Sequence, residues 1–179
     1  MNFEGKIMLK LKSWIAALAC ATVLALPAHA QEAESDVPVN TQFGAWVVSC
    51  QAVTVNSNVC RLIQEQILRD NNALVVRFIA QPSEEGSAVM LAQVPISVFL
   101  AGGAVYRLEG DDDTPQREMI WQRCGGDLCE AAILLDADEL TAMNDAGAIL
   151  FGYRTGPATE PIITRVDLAE FAEGLEALR

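Results

Sequence analysis

The chain has 179 residues, with 24 acidic side chains against 12 basic ones and a single histidine, a formal net charge of −12. That balance leaves no phosphate-neutralising surface, which argues against nucleic acid and anionic lipid as partners. The length suits one domain around one core, and no internal repeat is visible.

Residues 1–30 have the three-part layout of a secretory signal. Lys6, Lys10 and Lys12 give a basic start, Trp14 to Leu26 is apolar apart from Thr22, and Ala28-His29-Ala30 offers an A-x-A cleavage site. The thirteen residues of that run fall short of the ~20 that a bilayer-spanning helix needs. Export with cleavage after Ala30 is expected, which places the protein in the periplasm, outside the cell or on its surface, with no stable membrane span. Cleavage removes the histidine and all three lysines, leaving nine arginines, 23 acidic residues and a formal charge of −14. Residues 31–42 are polar around Pro38 and are expected to form a flexible leader.

From Phe43 onward short apolar segments alternate with turn signals. Strands are predicted at Gly44–Ser49, Cys60–Leu68, Leu74–Ala80, Ala88–Val94, Ala104–Glu109, Met119–Arg123, Glu130–Leu135, Ala148–Arg154 and Ile162–Val166. Segments such as Asp70-Asn71-Asn72, Gly102-Gly103 and Gly125-Gly126-Asp127 separate them. This punctuation predicts an all-β fold, mostly an antiparallel sandwich or barrel, over residues 43–179. Leu74, Val76 and Phe78 share one face, with Val75 and Arg77 on the other.

Two helices interrupt the strands. Asp136–Asn144 offers Asp136 or Asp138 as an N-cap, with Gly147 near the stop. At the C-terminus, Asp167 followed by Glu170 resembles a capping box, and Leu168, Phe171, Leu175 and Leu178 fall on one helical face. An amphipathic helix packed on the sheet is expected there, although Gly174 weakens it.

Cys20 lies in the signal, and Cys50, Cys60, Cys124 and Cys129 remain. An even count in an exported chain points to disulfides rather than zinc, since neither pair has C-x2-C spacing and an oxidising compartment disfavours thiolates. Four cysteines allow three pairings, and spacing alone does not choose. The local pairing, Cys50–Cys60 with Cys124–Cys129, is the one expected, each bridge worth roughly 2–3 kcal/mol.

Catalytic constellations fail one by one. Serine or cysteine triads need a histidine, a serine–lysine dyad needs lysine, and the mature chain has neither. Asp111-Asp112-Asp113 opens like a calcium loop, but Gln116 stands where that loop needs glycine. No catalytic, cofactor-binding or metal-binding residue is therefore assigned. Trp46 and Trp121 each precede a cysteine and are expected in the core, packed near the disulfides. Arg61 and Arg123 flank cysteines and are placed to meet carboxylates.

Trp46-Val47-Val48-Ser49-Cys50 and Cys60-Arg61-Leu62-Ile63-Gln64 resemble the opening of the invasion-associated locus B family. Val94-Pro95-Ile96 to Leu100 with Gly103, Trp121-Gln122-Arg123-Cys124 with Cys129-Glu130-Ala131, and Val166 to Leu178 are similar to its later segments. The resemblance covers roughly residues 43 to 178. This chain departs from the family's pattern at Leu128, where glycine is usual, and at Glu170-Phe171, where Gly-Phe is usual. The resemblance implies an exported, largely β protein, linked in pathogenic members to host-cell invasion, with no agreed catalytic residues.

The expected function is an exported non-enzymatic protein that binds a protein or surface partner. The alternatives are an envelope glycan hydrolase using paired carboxylates, motivated by the acidic surplus, and a small-ligand carrier.

Overall fold

The computed structural model describes residues 37–179 apart from Asn56 and Asp111–Asp113. The expected signal and the triple-aspartate loop thus lie outside the described residues. Ten strands form one continuous antiparallel sheet in the order β1-β2-β3-β4-β5-β8-β7-β6-β9-β10. They are β1 (Gln42–Phe43), β2 (Trp46–Thr54), β3 (Ser57–Ile67), β4 (Leu74–Pro82), β5 (Ala88–Pro95), β6 (Ala104–Leu108), β7 (Arg117–Gly125), β8 (Leu128–Leu135), β9 (Ala148–Tyr153) and β10 (Ile162–Asp167). Each of the nine predicted strands is present. The tenth, β1, is a two-residue pairing with Trp46 and Val47 that carries no periodicity to detect.

Alternation sets which way each strand faces. Val76, Phe78 and Ala80 of β4 and Ala88, Met90, Ala92 and Val94 of β5 are fully buried, while the residues between them are half-exposed. The polar chain before β1 is held by the edge of β2. The Asn40 N–H donates to Val48 O (2.8 Å) and the Val48 N–H to Thr41 O (2.9 Å). Backbone hydrogen bonding to β2 therefore extends back to Asn40.

Strand β7 is the corner of the sheet. Its first residues pair with β6 (Met119 with Ala104) and its later ones with β8 (Ile120 with Ala132), and the register shifts between Trp121 and Arg123. A bulge of this kind bends a strand and raises its twist. The sheet curls, and β6, β9 and β10 come to lie over the first strands. Phe151 of β9 meets Phe78 of β4 edge-on at 5.1 Å. The Tyr153 hydroxyl donates to Val75 O across the same gap (3.0 Å). The sheet closes on itself through a side chain, the Trp46 Nε1–H of β2 donating to Asp167 O at the end of β10 (2.9 Å).

Helix α1 (Ala137–Ala146) starts as the sequence predicts, with Asp136 Oδ1 accepting from Glu139 N (2.8 Å) and Gly147 ending it at φ 69°. Helix α2 (Phe171–Ala177) differs in its start. Asp167 is the last residue of β10, and its carboxylate accepts from Ala169 N (2.9 Å). Glu170 takes the N-cap position in the left-handed conformation, φ 60°, and its carboxylate accepts from Gly44 N (3.0 Å) rather than from its own helix. No capping box forms, because both acids are used by the connections on either side. The apolar face is as expected: Leu168, Phe171, Leu175 and Leu178 are buried. Gly174 lets the helix lie flush, since a Cβ there would stand 2.9 Å from Leu62 Cδ1 and 3.0 Å from Phe43 Cγ.

Candidate binding surface

The four cysteines are joined locally, Cys50 to Cys60 (2.07 Å between sulfurs) and Cys124 to Cys129 (1.98 Å). Both bridges link residues directly opposite in register, the first across β2–β3 and the second across β7–β8. They staple one hairpin near the β1 edge of the sheet and one in its middle.

Trp46 is fully buried, but its ring lies 4.6 Å from Phe171 of α2, so its aromatic neighbour is the C-terminal helix. Trp121 is half-buried against the core, with Nε1 enclosed and unpartnered. Arg123 reaches Glu130 (3.5 Å), whereas Arg61 donates to the amide oxygen of Gln81 (3.0 Å).

One acidic cluster has catalytic residue types. At the start of α1, Glu139 accepts from the Tyr106 hydroxyl and from Arg117 (3.0 Å), beside a cleft of about 290 Å3 that Asp136 and Asp138 also line. Burial, then the hydrogen bond and the negative charge of Glu139, push the Tyr106 hydroxyl far above its ordinary value of 10.0. A phenol held this firmly protonated is a poor nucleophile and a good structural donor. Among the described residues, no group of three His, Cys, Asp or Glu side chains is arranged to hold a metal ion.

The feature better shaped to receive a ligand is on the outward face of β6, β9 and β10. Gly152 of β9 is flanked in register by Val105 of β6 and Ile163 of β10. With no side chain between two apolar ones, a groove of about 250 Å3 opens there, lined also by Leu150, Arg107 and Arg154. A Cβ at Gly152 would meet nothing nearer than Ile162 O at 3.6 Å, so the gap comes from the missing side chain and not from a crowded backbone. Ile163 is 63 % exposed.

None of these groove residues stands out in the sequence as functional. The usable signal is glycine in the interior of a strand, which often marks the close approach of a ligand or another backbone.

A family model described as invasion associated locus B (IalB) protein matches residues 46–179. The chain belongs to the IalB family. Its fold is similar to the crystal structure of invasion associated protein b from Bartonella henselae, with 17 % identity and a TM-score of 0.67 over 79 % of this chain and 95 % of that one. No curated protein matches the chain. For this IalB-family chain, paired cysteines fit an exported protein. No helix among the described residues is long and apolar enough to cross a membrane.

Proposed function

We propose that this chain is an exported, non-enzymatic binding domain of the bacterial envelope. It holds a protein or cell-surface partner, and in a pathogenic source that contact assists host-cell invasion. The observation that carries the reading is the Gly152 groove, an apolar bed on an outward sheet face with Arg107 and Arg154 beside it. Such a bed takes an apolar side chain of a partner, and a guanidinium beside it takes a carboxylate. On an exported chain whose formal charge is −14, the positive charge of Arg154 beside the bed favours a partner segment that carries a carboxylate next to its apolar side chain. The raised Tyr106 hydroxyl and the lack of histidine and lysine after residue 30 support binding over catalysis. The family name supports the link to invasion, and the signal layout with the disulfides supports export.

The test places a photo-crosslinking residue at position 163 in the secreted protein on living cells. A discrete protein adduct is expected, and Gly152→Leu, which fills the groove from an outward position, should abolish it with little change in Tm. A failure to form any adduct, or an adduct indifferent to Gly152→Leu, refutes the groove as the binding site. Protease treatment of intact against permeabilised cells then assigns the adduct to the cell surface or the periplasm.

A further inference from the structure

The other layer of the molecule presents an outward face that no element among the described residues covers. Register places one apolar row across six strands: Val47, Ile63, Ile79, Leu91, Ala132 and Ile120. Each directly follows a buried residue in its strand and so points outward. Ile120 is 69 % exposed. Such a row is unusual on a chain whose surface is otherwise strongly acidic.

Beside it runs a second row in the order Glu65, Arg77, Gln93, Glu130, Arg123, on β3, β4, β5, β8 and β7. The row is joined along its length. Arg77 contacts Glu65 (2.6 Å) and Gln93 (3.4 Å), Gln93 contacts Glu130 (2.8 Å), and Glu130 contacts Arg123 (3.5 Å). Its charges balance, two against two. Their order is negative, positive, neutral, negative, positive, which inverts sign when reversed about Gln93.

We propose that this face pairs with a second copy of the same chain about a two-fold axis running along β5. Reversal about β5 sets Glu65 opposite the second copy's Arg123 and Arg77 opposite its Glu130, with Gln93 on the axis. In the apolar row the same operation sets Leu91 against Leu91, Ile79 against Ala132 and Ile63 against Ile120. This is an isologous, self-complementary contact. An axis along the strands gives aligned sheet-on-sheet packing, a common geometry for two sheets. Elsewhere the acidic excess opposes self-association, and this balanced row removes that repulsion where it matters.

Five strands at ~4.8 Å spacing, each about 27 Å long, offer a footprint of roughly 650 Å2. That is close to the ~800 Å2 per partner of a standard stable interface. The Gly152 groove lies on the opposite layer, so each copy keeps its groove facing outward and the pair is bivalent.

The test is sedimentation of the protein across a concentration series. A reversible dimer is expected. Leu91→Arg, which sets like charges against each other on the axis, should weaken it by roughly 100-fold or more. Arg77→Glu should weaken it too, and adding Glu130→Arg should restore it, because the pair is exchanged across the axis. A chain that stays monomeric to millimolar concentration overturns the proposal. So does a dimer unmoved by Leu91→Arg, or a double variant no tighter than Arg77→Glu. Should these variants misfold, Gln93→Cys gives an independent reading. A short bis-maleimide should link the two introduced thiols across the axis, since sheets stacked ~10 Å apart hold them beyond direct disulfide reach, and a peptide map lacking that link overturns the geometry. Dimer variants leave the position-163 adduct as a separate readout, so this inference and the groove fail separately.

Discussion

Glu170 shows how much one residue determines. It sits at φ 60°, a conformation that costs a side-chain-bearing residue about 1–2 kcal/mol and glycine almost nothing. A glycine here, as the family resemblance implies, would suit that backbone better than Glu170 does. The carboxylate offsets the cost by accepting from Gly44 N (3.0 Å), tying α2 to the β1–β2 turn. Glu170→Ala keeps the strained backbone and loses the bond, a destabilisation of about 1 kcal/mol. Glu170→Gly loses the bond but relieves the strain. Thermal denaturation should therefore rank wild type and Glu170→Gly close together and Glu170→Ala clearly below both. Gly44 itself tolerates no such change. Its φ is 58°, and a Cβ there would collide with the carbonyl oxygen of Ala169, so Gly44→Ala should cost well over 1 kcal/mol. The two tyrosines make a pH prediction. Burial raises both hydroxyls above 10.0, helped at Tyr106 by Glu139. A folded-state value above the unfolded one gives stability that is full below pH 10 and lost as pH climbs beyond it, since only the unfolded chain then ionises. Ultraviolet titration should show both tyrosines ionising above pH 10 in the folded protein, with Tyr106 the more resistant of the two. A normal titration of either tyrosine near pH 10 in folded protein contradicts the burial described here.

Among the elements, the nine predicted strands were legible because each is a short apolar segment bounded by turn residues, a purely local signal. Helix α1 was legible for the same reason, its N-cap Asp136 and its stop Gly147 both acting within a few residues. The start of α2 was not. Asp167 and Glu170 have capping-box spacing, but the first turns the chain out of β10 and the second reaches residue 44. Spacing cannot reveal a carboxylate used over that distance. The cysteine pairing needed register as well as spacing, since Cys50 faces Cys60 and Cys124 faces Cys129 only once the hairpins are aligned. Each bridge spans neighbouring strands of a hairpin, so each closes a short loop and is worth roughly 2–3 kcal/mol. Removing either pair with alanine should lower Tm by several degrees without unfolding the protein at 25 °C. A double deletion should remove a large share of typical domain stability. An unchanged Tm after confirmed full reduction would refute a stabilising role.

The arrangement of the whole molecule was the least legible in the sequence. Nothing local indicates that β8 joins β5, or that β7 divides its length between β6 and β8, because those pairings are decided by which curled sheet buries the most apolar surface. The Gly152 groove and the two outward rows share this origin, for they exist only when strands far apart in sequence are placed side by side. Closure of the sheet depends most visibly on Trp46. Its indole fills the core against Phe171, and its N–H links β2 to the end of β10 where no backbone ladder does. Trp46→Phe retains most of the packing but leaves the Asp167 carbonyl without this donor. The loss should be about 1–3 kcal/mol, from the desolvated acceptor and the smaller ring. Its effect should be concentrated at the seam. Hydrogen exchange of the β10 amides should quicken more than that of β4 and β5, which are paired on both sides and lie in the middle of the sheet. Uniform quickening over all strands would mean that Trp46 stabilises the core generally and that the seam is held by something else.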